Sequence, residues 1–195
     1  MTETVLMLRP VIAVFISMAA AAVILLIGDK VSANLREGIT LLAAAVKAIC
    51  VFSMIPAVLA GRELSVSVLE IADGIALTFR ADSAGMVFAC VACGLWILTS
   101  IYSVGYMRGH KEKNQTGYFA AFAMCLSGAT GICFASNLFT FFIFYEILTV
   151  ATYPLVVHYR DEKGKSAGRK FRTCTAIFSS IAARQRRKIL KNLEK

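Results

Sequence analysis

Long apolar stretches broken by short polar links set the pattern of this 195-residue chain. A run of about 20 apolar residues crosses a bilayer core as a helix, at about 1.5 Å per residue. By that measure the chain predicts five membrane spans, over residues 10–27, 39–59, 83–106, 118–135 and 138–157. Only Ser136-Asn137 separates the last two, so they form an antiparallel pair, with either residue available as a helix N-cap. Between the second and third spans the pattern changes. Leu64-Ser-Val-Ser-Val68 and Ile75-Ala-Leu-Thr-Phe79 alternate apolar and small polar residues, and Asp73-Gly74 between them is a type I′ turn signal. Residues 62–82 are therefore read as a β-hairpin on the outer surface, with strands over 64–71 and 75–80. The predicted fold class is an all-α membrane protein, a bundle of five transmembrane helices with a small β-hairpin on the outer side.

Small residues mark the faces on which these helices meet. Ala19–Ala22 on the first span, and Ala120, Ser127, Gly128 and Gly131 on the fourth, let helix backbones approach closely. At the junction of hairpin and third span, Arg80 and Asp82 are read as an anchor and a helix cap.

Composition agrees with this reading. With 58% hydrophobic residues and a mean hydropathy of +0.70, the chain falls among membrane proteins. The net charge of +9 is concentrated between the spans and at the C-terminus, without a basic-aromatic motif, so nucleic acid is not an expected partner. One side of the membrane carries Arg9, Arg62 and Arg80. The other carries Lys30, Arg36, Arg108, Lys111 and Lys113, then Arg160, Lys163, Lys165, Arg169, Lys170 and Arg172. The richer side is cytoplasmic by the positive-inside rule, which puts the N-terminus outside and the basic tail, 159–195, inside. The expected location is a bacterial inner membrane. Pro10 to Gly28 is longer than a signal-peptide core and Gly28-Asp-Lys is a poor cleavage site, so the first span is read as retained. Thr173–Ala183 is too short to cross, and Ser179–Lys195 is read as a basic surface helix or tail. Cys90 and Cys93 have CxxC spacing but lie mid-span without a second pair, which argues against redox or metal chemistry.

Glu146 is the residue with chemistry. It lies within about 2–3 Å of the centre of the fifth span. A carboxylate there costs about 2.5–3.5 kcal/mol on insertion scales, and its side chain is too short to reach water. It must face other helices, meet a partner or hold a proton, and a proton path needs such a group. Helical spacing puts Phe142, Ile143, Thr149, Val150 and Tyr153 on the same face. Pro154 frees the carbonyl of Val150, so Thr149, Tyr153 and that carbonyl can hold a short water chain towards the cytoplasm. Alternatively, Thr149 back-bonds to its own helix and Tyr153 belongs to the interfacial aromatic belt. Lys47 is the other charge inside a span. It is read as snorkelling to the cytoplasmic face, with pairing to Glu146 as the alternative.

Phe79-Arg-Ala-Asp82, Tyr102-Ser-Val-Gly-Tyr106, Asn137 to Thr149 and Ala167-Gly-Arg-Lys170 follow one another in a familiar order. Over roughly residues 10–171 the chain resembles the proton-translocating antiporter-like subunits of respiratory complex I. Their relatives include the D-type subunits of Mrp-type cation/proton antiporters and membrane subunits of energy-converting hydrogenases. Tyr145-Glu146-Ile-Leu-Thr149 with Tyr153-Pro-Leu-Val-Val-His158 is most similar to the D type. The resemblance implies a core of about fourteen helices with inverted repeats and broken helices. It also implies that Glu146 pairs with a lysine on a later helix. That lysine has no counterpart here, and after about residue 172 the chain departs from the family, Thr173-Cys-Thr-Ala-Ile-Phe178 giving way to Arg184-Gln-Arg-Arg-Lys188. The implied function is the N-terminal portion of a proton-conducting transporter subunit, moving H⁺ with Na⁺ as a second candidate ion. Its partners would be other membrane subunits and the lipid bilayer. No cofactor and no redox chemistry are expected on this chain. The alternative is a non-transporting truncated fragment or assembly partner of such a complex.

Overall fold

The computed structural model describes residues 2–28, 30–72, 75–110 and 114–157, and beyond them 166, 168–171, 173, 175, 176 and 180. Five helices in it are long and apolar enough to cross a membrane. In chain order the elements are α1 (Thr2–Ile27), α2 (Ala33–Phe52), α3 (Ile55–Leu59), β1 (Leu64–Ala72), β2 (Ile75–Ala81), α4 (Ser83–Gly109), α5 (Gln115–Cys133) and α6 (Leu138–Val156). Helix α1 packs on α5 and α2, α2 on α4, and α6 on α5. The turn expected at Asp73-Gly74 lies outside the described residues, as does most of the basic tail.

The three largest departures from the expected boundaries each have a physical reason. Helix α1 begins well before Pro10, because Arg9 does not end it. The Arg9 guanidinium donates to the carbonyl and hydroxyl of Ser53, both at 3.0 Å, and so serves the end of α2. The span expected at 39–59 is two helices, broken after Phe52 and restarted at Ile55 with Pro56 in the first turn. Proline lacks the N–H that an uninterrupted helix would need there and fits a first turn well. Helix α2 also starts six residues earlier than expected, at Ala33, because Arg36 and Glu37 find partners across the bundle instead of marking its edge.

The hairpin is a two-stranded antiparallel sheet, paired from Leu64↔Ala81 to Ala72↔Ile75 with two register shifts. It is built into one end of the bundle rather than laid on it. The alternation puts Leu64, Phe79 and Ala81 inward, where they are buried with Met54, Val51, Phe134 and Phe144. Phe79 and Phe144 meet edge-to-face with centroids 5.5 Å apart. The α5–α6 link adds to the sheet. The Arg80 N–H donates to the Phe134 carbonyl at 2.8 Å, and the Ser136 N–H donates to the Thr78 carbonyl at 3.0 Å. Arg80 thus anchors the junction through its backbone. Asp82 caps α4, accepting from the Gly85 N–H at 2.7 Å.

Asn137 joins the two parts. Its side-chain oxygen accepts from the Thr140 N–H at 2.7 Å and caps α6, while its side-chain nitrogen donates to the Ala76 carbonyl at 2.6 Å. Asn137→Ala is expected to lower unfolding free energy by about 1–2 kcal/mol. Asn137→Asp should recover the cap but not the bond to β2, and so fall between. Denaturant unfolding in detergent checks this. Equal stability of all three proteins would sink the assignment.

Candidate functional site

Glu146 sits at the middle of α6, about 12 Å along the axis from Leu138 and about 15 Å from Val156. Helix α6 is the outer helix of the bundle, and its buried residues are Thr140, Phe144 and Ala151. Glu146 itself is half-buried, as are Phe142, Ile143, Thr149 and Tyr153, while Val150 is exposed. The Thr149 hydroxyl donates to the Tyr145 carbonyl at 2.8 Å, one turn back. Its proton is committed to the helix, so Thr149 can meet Glu146 or water only as an acceptor. Tyr153 lies beside Gly168, in the segment carrying the Ala167-Gly-Arg-Lys170 motif.

What holds α6 against α5 is a pair of glycines. A Cβ on Gly128 would stand 2.9 Å from Leu148 Cβ and 3.0 Å from its Cα, and one on Gly131 would enter the Phe144 ring. The small residues of α5 are therefore contact points, as their pattern suggested. Ser127 faces α1 instead and donates to the Val14 carbonyl at 2.9 Å. On α1, Ala20 and Ala21 are buried whereas Ala19 and Ala22 are exposed.

Lys47 does not snorkel. It lies about 21 Å along the axis from Ala33, farther than its stem reaches, and it is fully buried. Its ammonium donates to the Ser17 hydroxyl at 3.0 Å and to the Leu126 carbonyl at 3.1 Å, and stands 5.0 Å from the centroid of the Trp96 ring. These partners belong to α1, α5 and α4, so Lys47 ties four helices together at mid-bundle, and its hydrogen bonds do not go to Glu146. Ser17, Ser127 and Thr130 are buried around it, and Thr130 donates to the same Leu126 carbonyl at 2.5 Å. Sequence reasoning missed Ser17, Thr130 and Trp96, and read Ser127 only as a small packing residue. The available signal was that Arg36, Thr40 and Lys47 recur on one helical face of α2.

At the opposite end from the hairpin, Glu37 is buried and ion-paired with Arg108, which also donates to the Asn34 side chain at 2.5 Å. Arg36 donates to Thr116 at 3.2 Å and to the Gln115 side chain at 2.5 Å. Arg36 and Arg108 thus share one end, and Arg9, on the side of Ser53, shares the hairpin end with Arg80, as the charge pattern grouped them. Cys50, Cys90, Cys93, Cys125 and Cys133 are free thiols, and no cluster of metal-ligating residues occurs among the described residues.

Five helices long and apolar enough to cross a membrane, a hairpin closing one end, and a glutamate and a lysine each midway along such a helix mark a multi-pass membrane protein. Residues 69–119, from β1 through α4 to the start of α5, match the family described as NADH-ubiquinone oxidoreductase (complex I), chain 5 N-terminus. The chain is 29% identical over 83 residues to NADH-quinone oxidoreductase subunit N of Desulforudis audaxviator, a match covering 43% of this chain and 16% of that protein. It is 22% identical over 102 residues to Na(+)/H(+) antiporter subunit A1 of Staphylococcus haemolyticus, covering 52% of this chain and 12% of that protein. Its fold is similar to a chain of the membrane-bound sulfane sulfur reductase, an archaeal respiratory membrane complex. There the TM-score is 0.61 at 23% identity, over 81% of this chain and 23% of the other. The chain is similar over these stretches to complex I/Mrp-type antiporter-like subunits, and it spans less than a fifth of the curated relatives named here.

Proposed function

We propose that this chain forms the first helices of a proton-conducting antiporter-like subunit, with Glu146 as its mid-membrane proton site. The observation that carries this is the position of Glu146. A carboxyl at the centre of α6 is too deep for its side chain to reach water, and intramembrane carboxyls of this kind mark ion pathways. Thr149 and Tyr153 line its approach from the end that carries Arg36 and Arg108. That end is cytoplasmic on the charge pattern, and the membrane is the bacterial inner membrane. The motif around Glu146 favours the D-type antiporter subunit among the relatives, and other membrane subunits of a multisubunit complex are the partners. H⁺ is the ion, with Na⁺ exchange a property of the whole assembly.

The test is Glu146→Gln in the assembled complex, read as proton uptake into inverted vesicles. The expected result is at least a tenfold loss of the proton flux assigned to this subunit, with Glu146→Asp retaining part of it. The substitution keeps the volume and removes the proton site. Unchanged flux with normal assembly would overturn the proposal and favour a non-transporting assembly piece.

A further inference from the structure

Away from Glu146, the buried polar groups of the bundle fall along one seam. On α4, Trp96, Ser100, Ser103 and Met107 are buried at spacings of three and four residues, so they share a helix face. On α2 the matching series is Arg36, Glu37, Thr40, Ala44 and Lys47. The two series meet at both ends, where Lys47 stands over the Trp96 ring and Arg108 pairs with Glu37. Between these ends, the Ser103 hydroxyl is 3.1 Å from the Tyr118 hydroxyl, and Thr40 donates to the Arg36 carbonyl at 3.1 Å.

Three atoms on this seam are unsatisfied. The Arg36 Nε, the Ser100 hydroxyl and the Trp96 indole N–H are buried and have no hydrogen-bond partner among the described residues. Ser100 is 0% exposed and Trp96 is 1% exposed. Native interiors pair such atoms, and where protein offers no partner, ordered water does. The rise of α4 puts Trp96, Ser100 and Ser103 successively about 4.5–6 Å apart in depth, a spacing that bridging waters span. The inner end of the seam is Lys47, whose acceptors are a hydroxyl, a carbonyl and a ring face, all neutral. The ionisable groups acting on it from α4 and α5 are the thiols of Cys93 and Cys133, and α1 presents Ser17. Among the described residues no carboxylate forms an ion pair with it.

We propose that Lys47 is a proton-loading site, exchanging with the aqueous phase at the Arg36/Arg108 end through a hydrated seam lined by Trp96, Ser100, Ser103 and Thr40. In the elementary step the ammonium gives one proton to the adjacent water and becomes an amine, the water becomes hydronium, and the charge passes outward past Ser100 and Ser103. Reloading is the reverse. The proposal deepens the proton-transport reading above, but its test does not depend on transport.

The experiment is NMR on the full chain in lipid nanodiscs with ¹⁵N-labelled lysine, the Lys47 signal being assigned by its loss in Lys47→Arg. The expected result is magnetisation exchange between water and the Lys47 nitrogen, slowed at least tenfold in Ser100→Val. Trp96→Phe, which keeps a ring and removes the indole N–H, is a second variant and should slow it as well. Leu98→Val, on the exposed face of α4, should leave it unchanged. No water exchange at Lys47 in the unaltered chain would overturn the proposal, as would unslowed exchange in both seam variants. Normal exchange together with a silent Glu146→Gln would sink the transport reading and leave the seam standing. Absent exchange together with Glu146-dependent flux would do the reverse.

Discussion

Gly128→Leu is expected to push α6 away from α5 and to lower the unfolding free energy of the bundle by about 1–3 kcal/mol, the usual range for overpacking. The size of the effect follows from what the new side chain meets. Beside Gly128 are the Cα and N of Leu148, so the obstacle is backbone and a rotamer change cannot relieve it. Inside a bilayer, helices associate through close packing and hydrogen bonds rather than through exclusion of water, so a lost close approach is not made up elsewhere. Gly94 supplies the control. Nothing lies within 4 Å of a Cβ built there, and Gly94→Ala should be neutral or slightly stabilising, since alanine is the better helix former. Unfolding in mixed micelles measures both, and spin labels on α5 and α6 report the separation directly. Equal losses at the two positions would show that α5–α6 packing does not depend on the close approach. Because Leu148 is two residues from Glu146, the displacement also moves the carboxyl, so under the proposed function the variant should reduce proton flux without touching an ionisable group.

The five spans were legible because length alone decides them, and the hairpin because a period of two stands out between helices. The site was legible in part. The place of Glu146 midway along α6 follows from counting along one apolar run. The depth of Lys47 does not, because Arg36 and Glu37 looked like the edge of the span when they are partnered residues inside α2. Moving the start of the helix from Ile39 to Ala33 lengthens the way from Lys47 to that end from about 12 Å to about 21 Å, beyond the reach of its stem. The break at Ser53-Met54 was hidden for a related reason, since Pro56 sits in an apolar run and the residue that serves the end of α2, Arg9, comes from another helix. The polar seam was invisible as a motif. Ser100, Ser103 and Thr40 are small residues that any membrane helix carries, and only the fold brings them onto one line.

That fold also explains how the two ionisable groups are kept apart. Helix α5 stands between them. Its Leu126 carbonyl accepts from the Lys47 ammonium, while Gly128 and Gly131 receive α6, the helix of Glu146. The lysine is enclosed by α1, α2, α4 and α5, whereas the glutamate lies on the outer helix and stays half-buried. One group is therefore a fixed part of the five-helix unit, and the other sits on its outermost helix.

The enclosure of Lys47 has a consequence for assembly. Taken alone, α2 must place an ammonium at mid-membrane, and this costs about 2.5–3.5 kcal/mol on insertion scales. A lysine near the end of a span would cost far less, because its stem would carry the charge to the headgroups. Lys47→Leu in an isolated α2–α3 segment, residues 33–59, should therefore favour translocon insertion by about 3 kcal/mol, read as the inserted fraction by glycosylation mapping. In the whole chain the same change should be partly offset by the two hydrogen bonds it removes, to Ser17 and Leu126, each about 0.6–1.7 kcal/mol in membrane proteins. The gain seen in the segment should thus shrink once α1, α4 and α5 are present, since those helices supply the acceptors and the Trp96 ring face. If Lys47→Leu barely changes insertion of the isolated segment, the lysine reaches the interface after all, and the mid-membrane position assigned to it is wrong.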